Sequence, residues 1–241
     1  MKTNLDKLRK LALEFLELEP EVNERISMFV YHPFFDCRFI PIGKKKNGED
    51  IEYEMADIFK QPEKFEEAKD EVRSYIKDGT LESILLKISK PYRLTYLKYA
   101  KGYMSKDDFE KHLIDLWISS ENPNQDVNIS IDEFIEWFSQ ADRKNLMNDK
   151  ELDYYNSLPD DVTVYRGIAV GRAEKEGLSW TCNYDTAKWF ANRFNQSGRT
   201  GYVLKGTISK ENIFAYLNGR KEDEILCNSS KVKNIKRVGN E

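Results

Sequence analysis

The chain has 241 residues, of which 40% are hydrophobic and 12% aromatic, so it is long enough to bury one or two hydrophobic cores. Its 38 lysines and arginines are nearly balanced by 42 aspartates and glutamates, and a net charge of −4 disfavours general binding to a nucleic-acid backbone. Three widely separated cysteines and two histidines lack the spacing of a zinc site or a disulfide framework. We therefore expect reduced thiols and no bound metal.

The first sixty residues predict one helix and one hairpin. Residues 4–18 carry apolar side chains at helical spacing, and Pro20 marks a break or the start of a second short helix. This segment lacks the uninterrupted apolar stretch of a signal peptide or membrane span, so we expect a cytoplasmic protein without membrane contact. The aromatic run 29–42 faces 51–55 across a Lys-Asn-Gly turn at 46–48, which predicts a β-hairpin.

The middle of the chain has a helical pattern. Six helices are predicted, at 62–77, 80–88, 91–103, 106–119, 131–141 and 148–158. Ser105 with Asp108, and Ser130 with Glu133, have the spacing of a capping box, in which each residue satisfies a backbone donor of the other. These two pairs therefore mark two of the helix starts.

The pattern changes after Pro159, where short β-type runs are separated by Gly, Asn and Ser, with one helix at 185–194. The predicted strands are 162–167, 201–208, 212–217 and 223–227. Helices followed by strands indicate an α+β fold. We expect an N-terminal lobe at 1–90, a helical segment at 91–158 that packs on the core, and a β-rich core at 159–241.

The first candidate motif, Tyr165-Arg166-Gly167, ends a predicted strand. An arginine in this position offers a planar fork of donors to a pyrophosphate, and the glycine that follows lets the backbone approach a ligand closely. The alternative is a solvated surface arginine, since phosphate recognition needs several converging donors.

The second motif is Ser179-Trp180-Thr181, ahead of the predicted helix. In an extended strand Ser179 and Thr181 point to one face, where their hydroxyls can orient a ribose or a carboxylate. The alternative is ordinary strand packing. Core packing is also the expectation for three aromatic side chains at helical spacing, namely Trp189, Phe190 and Phe194.

The third motif is Glu222-Asp223-Glu224, where acidic residues open directly into an apolar strand. In extended conformation Glu222 and Glu224 share one face, so two carboxylates converge on one site. Like charges so close are unfavourable without a function. The alternative is a charged hairpin turn at 218–221 with acidic neighbours.

The order and spacing of these motifs resemble the Arg, Ser and Glu signature of the mono-ADP-ribosyltransferase family, in the branch of arginine-modifying toxins. They also resemble small transferase-like proteins encoded by phages and mobile elements. The resemblance covers roughly residues 160–230 and implies two packed, mostly antiparallel sheets with NAD⁺ in the cleft between them. The middle motif departs from the common Ser-Thr-Ser, because Trp180 occupies its centre.

The resemblance also implies roles for these residues. Glu224 would stabilise the positive charge that develops on the ribose as the nicotinamide bond breaks. Ser179 would hold that glutamate or the ribose, supported by Thr181, while Arg166 grips the pyrophosphate. Glu222 would contact the acceptor and assist its deprotonation. The remaining expected NAD⁺ contacts are Tyr165, Gly167, Trp180 and Phe190.

The implied partner is a protein acceptor of unknown identity. Arginine fits best as the modified residue, because a carboxylate binds its guanidinium through two parallel hydrogen bonds. Two other functions stay open: an NAD⁺ glycohydrolase, in which water replaces the acceptor, and a non-enzymatic interaction module with Trp180 filling the cleft. Glu222 favours transfer, because hydrolysis has no evident need for a second carboxylate.

Residues 122–134 resemble a calcium-binding loop, with candidate ligands at Asn122, Asn124, Asp126 and Glu133. The position that requires a glycine for the sharp turn is Val127, and the first ligand is asparagine instead of aspartate. We therefore interpret the segment as a polar loop that enters a capped helix.

Overall fold

The computed structural model describes residues 1–46, 50–169, 177–193 and 201–239. The chain divides into two compact units, Met1–Glu121 and Asn122–Glu241. The boundary lies inside the helical segment expected at 91–158. Its earlier helices pack within the first unit, whereas its later helices pack on the C-terminal sheet.

The first unit contains five α-helices among its described residues, at Leu5–Leu16 (α1), Pro62–Asp78 (α2), Leu81–Lys87 (α3), Lys90–Ala100 (α4) and Lys106–Ser119 (α5). Two antiparallel pairs accompany them, Glu21–Val22 (β1) with Val30–Tyr31 (β2) and Phe39–Lys46 (β3) with Asp50–Asp57 (β4). The predicted helices are confirmed. The predicted hairpin is present, but its first strand begins at Phe39, so residues 29–38 of the predicted strand lie outside it. Ser105 caps α5 through the backbone N–H of Asp108. The chain after Pro20 continues as β1, and part of the predicted turn at 46–48 lies outside the described residues.

Apolar burial holds the first unit together in two places. Leu8, Ala12 and Leu16 form the fully buried stripe of α1, and the Tyr96 hydroxyl donates to the carbonyl of Leu8 at 2.7 Å. A second cluster lies behind the β3–β4 hairpin and comprises Val30, Ile40, Ile42, Ala56, Ile58, Phe65 and Ala68. Hydrophobic burial of this kind supplies most of the folding free energy.

The second unit has four α-helices among its described residues, at Ile131–Gln140 (α6), Arg143–Leu146 (α7), Asp149–Ser157 (α8) and Tyr184–Asn192 (α9). Ser130 and Glu133 form the predicted capping box at the start of α6. Asn148 and Glu151 form a second capping box, which starts α8. No helix in the described part of the chain is long and apolar enough to cross a membrane.

Its strands are Asp161–Ile168 (β5), Ser179–Thr181 (β6), Tyr202–Ser209 (β7), Ile213–Leu217 (β8), Glu224–Cys227 (β9) and Lys233–Val238 (β10). They form one antiparallel sheet in the order β10-β7-β5-β6-β9-β8. This corrects the expectation of two packed sheets for the described residues, because β6 bonds to both β5 and β9 and so joins the two halves. The edge strand β10 is not among the predicted strands; its exposed, lysine-rich sequence lacks an apolar alternation.

A narrow seam runs through this sheet between β5 and β6. Strand β5 pairs with β7 along its full length of 8 residues, but it shares only the pair Tyr165↔Thr181 with β6. Beyond that pair the two strands are no longer joined by the ladder. The candidate residues Arg166 and Ser179 lie at this opening.

Helix α9 packs closely against one face of β5. A Cβ added at Gly167 would lie 2.1 Å from the carbonyl oxygen of Ala187 and 2.6 Å from the backbone nitrogen of Ala191. The space that Gly167 leaves is therefore occupied by helix backbone, which gives no support to its expected role beside a ligand. Trp189 is 55% exposed, so the prediction that it belongs to the core is wrong. The buried positions of α9 are the alanines, and Phe194 lies outside the described residues.

Candidate functional site

Three strands place the candidate residues in one row across the sheet. The register pairs Tyr165 with Thr181 and Thr181 with Glu224. Residues directly opposite each other in antiparallel strands project to the same face. The fold therefore brings together three residues that span 60 positions in the sequence, from Tyr165 to Glu224.

Arg166 lies at the seam and binds the neighbouring strand. Its Nη1 donates to the carbonyl oxygen of Ser179. Gly177 makes room for the guanidinium, since a Cβ added there would lie 2.0 Å from Nη2. Burial lowers the pKa of Arg166 to about 10, an effect opposed by the negative charge of Glu224. The group remains a cation at neutral pH.

The hydroxyl of Thr181 positions the acidic turn. Its Oγ1 donates to the carbonyl oxygen of Glu222 at 2.8 Å and accepts from the backbone N–H of Asn183 at 3.0 Å. The next residue, Cys182, donates its backbone N–H to the carbonyl of Asp223 at 3.1 Å. Thr181 and Cys182 thus hold Glu222 and Asp223 by their backbone carbonyl groups. The Glu222 carboxylate takes no part in these two bonds and pairs with Arg220.

The turn itself departs from the extended conformation expected for 222–224. Lys221 and Asp223 have positive φ values of 58° and 46°, a region that is unfavourable for residues with a Cβ. The Tyr216 hydroxyl donates to the Asp223 carboxylate at 2.7 Å, and the Asn218 side chain accepts from the Asp223 N–H at 3.2 Å. Strained backbone positions that are held by surrounding contacts cluster at active sites and ligand-binding sites.

Helix α8 supports the same turn from its other side. The Glu151 carboxylate, which also completes the α8 capping box, accepts from the backbone N–H of Asn218 at 2.7 Å. Tyr154 stacks on Tyr216 with ring centroids 4.1 Å apart. Burial raises the pKa of Tyr216 above its ordinary value, aided by its bond to Asp223. Tyr216 therefore stays protonated as a donor.

Both glutamates of the third motif meet one arginine. Arg220 Nη2 lies 2.9 Å from Glu222 Oε2 and 3.7 Å from Glu224 Oε2. The Glu224 side chain is 8% exposed, that of Glu222 is 23% exposed and that of Arg220 is 46% exposed. The predicted convergence of the two carboxylates is present, although the irregular turn produces it and not a regular strand. A buried carboxylate and a more accessible one therefore both pair with the guanidinium of Arg220.

The remaining candidate residues, Ser179, Phe190 and Trp180, differ in their burial and in the face on which they lie. The hydroxyl of Ser179 makes no hydrogen bond to the described residues, and the side chain is half-buried. Phe190 is half-buried on α9 and contacts Trp189 edge to face at 4.9 Å. Trp180 is 2% exposed and alternates to the face opposite Thr181, which does not support the expected contact with a cofactor. The same placement means that Trp180 does not fill a cleft on the face of Thr181.

Sequence reasoning did not assign a site role to several residues that shape this region, namely Glu151, Gly177, Tyr216, Asn218 and Arg220. Only Arg220 carried a signal, a cation two and four positions before the two glutamates. The others act through tertiary contacts with distant segments.

The cysteines do not provide nucleophiles here. Cys37, Cys182 and Cys227 are all free thiols. Burial raises the pKa of Cys182 to about 11, with a contribution from the charge of Asp223, and burial also raises the pKa of Cys227. Thiols with raised pKa values are protonated at neutral pH and are poor nucleophiles.

The calcium-like segment uses its oxygens within the chain. The Asn124 side chain accepts from the backbone N–H of Leu178 at 2.7 Å, and the Asp126 carboxylate accepts from the N–H of Asn128 at 2.8 Å. Glu133 caps the N–H of Ser130. Within the described ranges no group of three or more His, Cys, Asp or Glu side chains could hold a metal ion.

No protein-family model matches the chain, and comparisons with curated proteins and with solved structures find no match either.

Proposed function

We propose that the second unit is an NAD⁺-dependent mono-ADP-ribosyltransferase that modifies an arginine of a protein acceptor. The observation that carries the proposal is the row of Tyr165, Thr181 and Glu224 on adjacent strands, with Glu222 and Glu224 both paired with Arg220 and with Arg166 bonded to Ser179 across the seam. Apart from Arg220, these are the residues whose order resembles the family signature. Their meeting on one sheet is not required by their spacing in the sequence, so it supports the resemblance independently.

Glu224 is suited to stabilise a ribosyl cation. Its carboxylate is almost fully buried and lies next to the accessible carboxylate of Glu222. In a region of low dielectric, a fixed negative charge stabilises a developing positive charge more strongly than it does in water. Cleavage of the bond between ribose and nicotinamide develops such a charge at the anomeric carbon.

Arg166 on β5 and Ser179 on β6 meet across the seam. The buried guanidinium holds the carbonyl of Ser179, and so it positions β6 as well as supplying a cation for the pyrophosphate. The Ser179 hydroxyl is oriented by the same strand and would contact the nicotinamide ribose. In this proposal Arg166 has both a structural and a binding role.

Glu222 would receive the acceptor. It is more exposed than Glu224, and its carboxylate already binds the guanidinium of Arg220 at 2.9 Å. A carboxylate that binds one guanidinium in this geometry can bind that of a target arginine and take its proton. This contact favours transfer to arginine over hydrolysis of NAD⁺.

The direct test is incubation of the purified chain with NAD⁺ labelled on adenine, with and without cell lysate. Nicotinamide release and a labelled protein band are expected from the wild type, and neither from Glu224→Gln. Glu211→Gln is the matched control, because Glu211 is an exposed glutamate in the same unit. Absence of nicotinamide release from the folded wild type with lysates that offer many acceptors would remove the proposal.

A further inference from the structure

Arg220 occupies the position that an acceptor guanidinium would take. Its Nη2 is 2.9 Å from Glu222 and 3.7 Å from Glu224, so one nitrogen lies within reach of both carboxylates. A short polar turn, with Lys221 in a positive-φ conformation, carries the side chain. Nearly half of the side chain is exposed to solvent.

The ion pair alone does not account for this arrangement. A partly exposed pair of this kind contributes little to stability. By contrast, Glu222 and Asp223 are held by backbone hydrogen bonds from β6, independently of Arg220. The turn therefore has anchors other than Arg220, whose guanidinium lies within reach of both carboxylates.

We propose that Arg220 is itself an acceptor, and that the chain ADP-ribosylates this side chain in an intramolecular reaction. The inference rests on the proposed function and deepens it by naming a modification site and an acceptor chemistry. The other exposed arginines among the described residues of this unit are placed differently: Arg193 lies over the ring of Trp189 and Arg237 over that of Tyr202.

The reaction balances without another reactant. A nitrogen of the Arg220 guanidinium forms a bond to the anomeric carbon of the nicotinamide ribose, and the bond from that carbon to the pyridinium nitrogen breaks. The bonding electrons go to the ring and neutralise nicotinamide as it leaves. Glu222 takes the guanidinium proton and returns it to water, so the products are ADP-ribosyl-arginine, nicotinamide and one proton.

Modification of Arg220 would also change the site. The attached ADP-ribose removes the bidentate face of the guanidinium and adds two phosphates beside two glutamates. Like charges at this distance repel, so the modified turn should bind a second NAD⁺ less well. The consequence would be a slow loss of transfer activity as the enzyme works on itself.

The test is mass spectrometry of the intact chain and of its peptides after incubation with NAD⁺, with nicotinamide release measured in the same samples. One ADP-ribose on Arg220 is expected, and the fraction modified per unit time should not change on dilution of the enzyme. Arg220→Lys keeps a cation beside the carboxylates but removes the guanidinium, so the adduct should disappear while nicotinamide release continues. Arg237→Lys should still be modified at Arg220.

The outcomes separate this inference from the proposed function. Nicotinamide release without an adduct on Arg220 would overturn self-modification and leave NAD⁺ cleavage standing. An adduct on another residue, or a rate proportional to enzyme concentration, would also overturn it. No nicotinamide release from the folded wild type would overturn both proposals. Thermal unfolding of Arg220→Lys is the folding control, and a large drop in its melting temperature together with no adduct in the wild type would assign Arg220 a structural role only.

Discussion

The two units of this protein use their charged residues in different ways. In the first unit, paired carboxylates meet more than one hydrogen bond from a cation: Arg38 binds both oxygens of Asp57, and Glu17 and Glu66 each pair with both Lys69 and Arg73. The hydrogen bonds from Arg38 and Arg73 hold the pKa of Asp57 and of Glu17 below their ordinary values. In the second unit, two carboxylates share one accessible arginine.

The partners of a carboxylate help to distinguish a structural charge from a functional one. A charge with a full set of local partners stabilises the fold, and its removal affects folding. Two like charges brought together by tertiary structure cost free energy, which selection tolerates where they act on a ligand. Removal of groups from the second unit should therefore impair chemistry, whereas removal of groups from the first should impair only stability.

The largest effect is expected from Glu224→Gln, which keeps the size of the side chain and removes its charge. Turnover of NAD⁺ should fall about 10³-fold, as for other losses of transition-state charge stabilisation. Nicotinamide release measures the effect, and thermal unfolding should change little because the amide can still bind Arg220. Unchanged turnover in a folded variant would show that the buried carboxylate is not part of the chemistry.

The first unit should respond to pH through its buried histidine. Burial lowers the pKa of His32 to about 4 from 6.5, and the backbone N–H of Phe34 donates to its Nδ1. The folded state therefore binds fewer protons than the unfolded state between these values, so stability is retained above pH 6.5 and lost as the pH falls towards 4. The full loss is about 3 kcal/mol.

Urea unfolding between pH 7 and pH 4 measures that loss. His32→Gln should flatten the dependence in this range, although the variant itself is less stable. His112→Gln, the other histidine of the chain, should keep the wild-type dependence. If both variants followed the wild type, the buried imidazole would not be the source.

Glu222→Ala should separate transfer from hydrolysis. Labelling of a protein acceptor should fall about 10²-fold, because an arginine nucleophile needs a carboxylate to orient it and take its proton. Cleavage of NAD⁺ by water should stay within a few-fold of the wild type, as Glu224 is retained. Equal loss of both reactions would mean that Glu222 acts on NAD⁺ itself, and full retention of transfer would place the acceptor elsewhere.

A smaller effect is expected from Gly177→Ala. The new methyl group would meet the guanidinium of Arg166, which must move from the carbonyl of Ser179. We expect roughly a tenfold weaker affinity for NAD⁺, or about 1.4 kcal/mol, measured by calorimetry. Gly102→Ala is the matched control, since no atom lies within 4 Å of the added Cβ. Equal affinities for NAD⁺ in these two variants would count against Arg166 as a binding residue.

Local sequence determined much of the secondary structure. The helices from α1 to α6 follow apolar periodicity, and Ser105 and Ser130 cap their helices where the spacing places them. Such signals are read from neighbouring residues, because helix hydrogen bonds and caps join positions three or four apart. Glu222 and Glu224 were recognisable for the same reason, as a short acidic motif before an apolar strand.

Tertiary structure decided the rest. The pairing of β6 with both β5 and β9 merges the expected two sheets into one, and it places Thr181 between Tyr165 and Glu224. Strand register and the burial of Trp180 depend on partners more than 40 residues away, which no local pattern encodes. The position of Arg220 against both glutamates arises from an irregular turn anchored by other elements. Local sequence patterns therefore identify the candidate side chains, whereas strand pairing and packing establish which of these side chains lie next to one another.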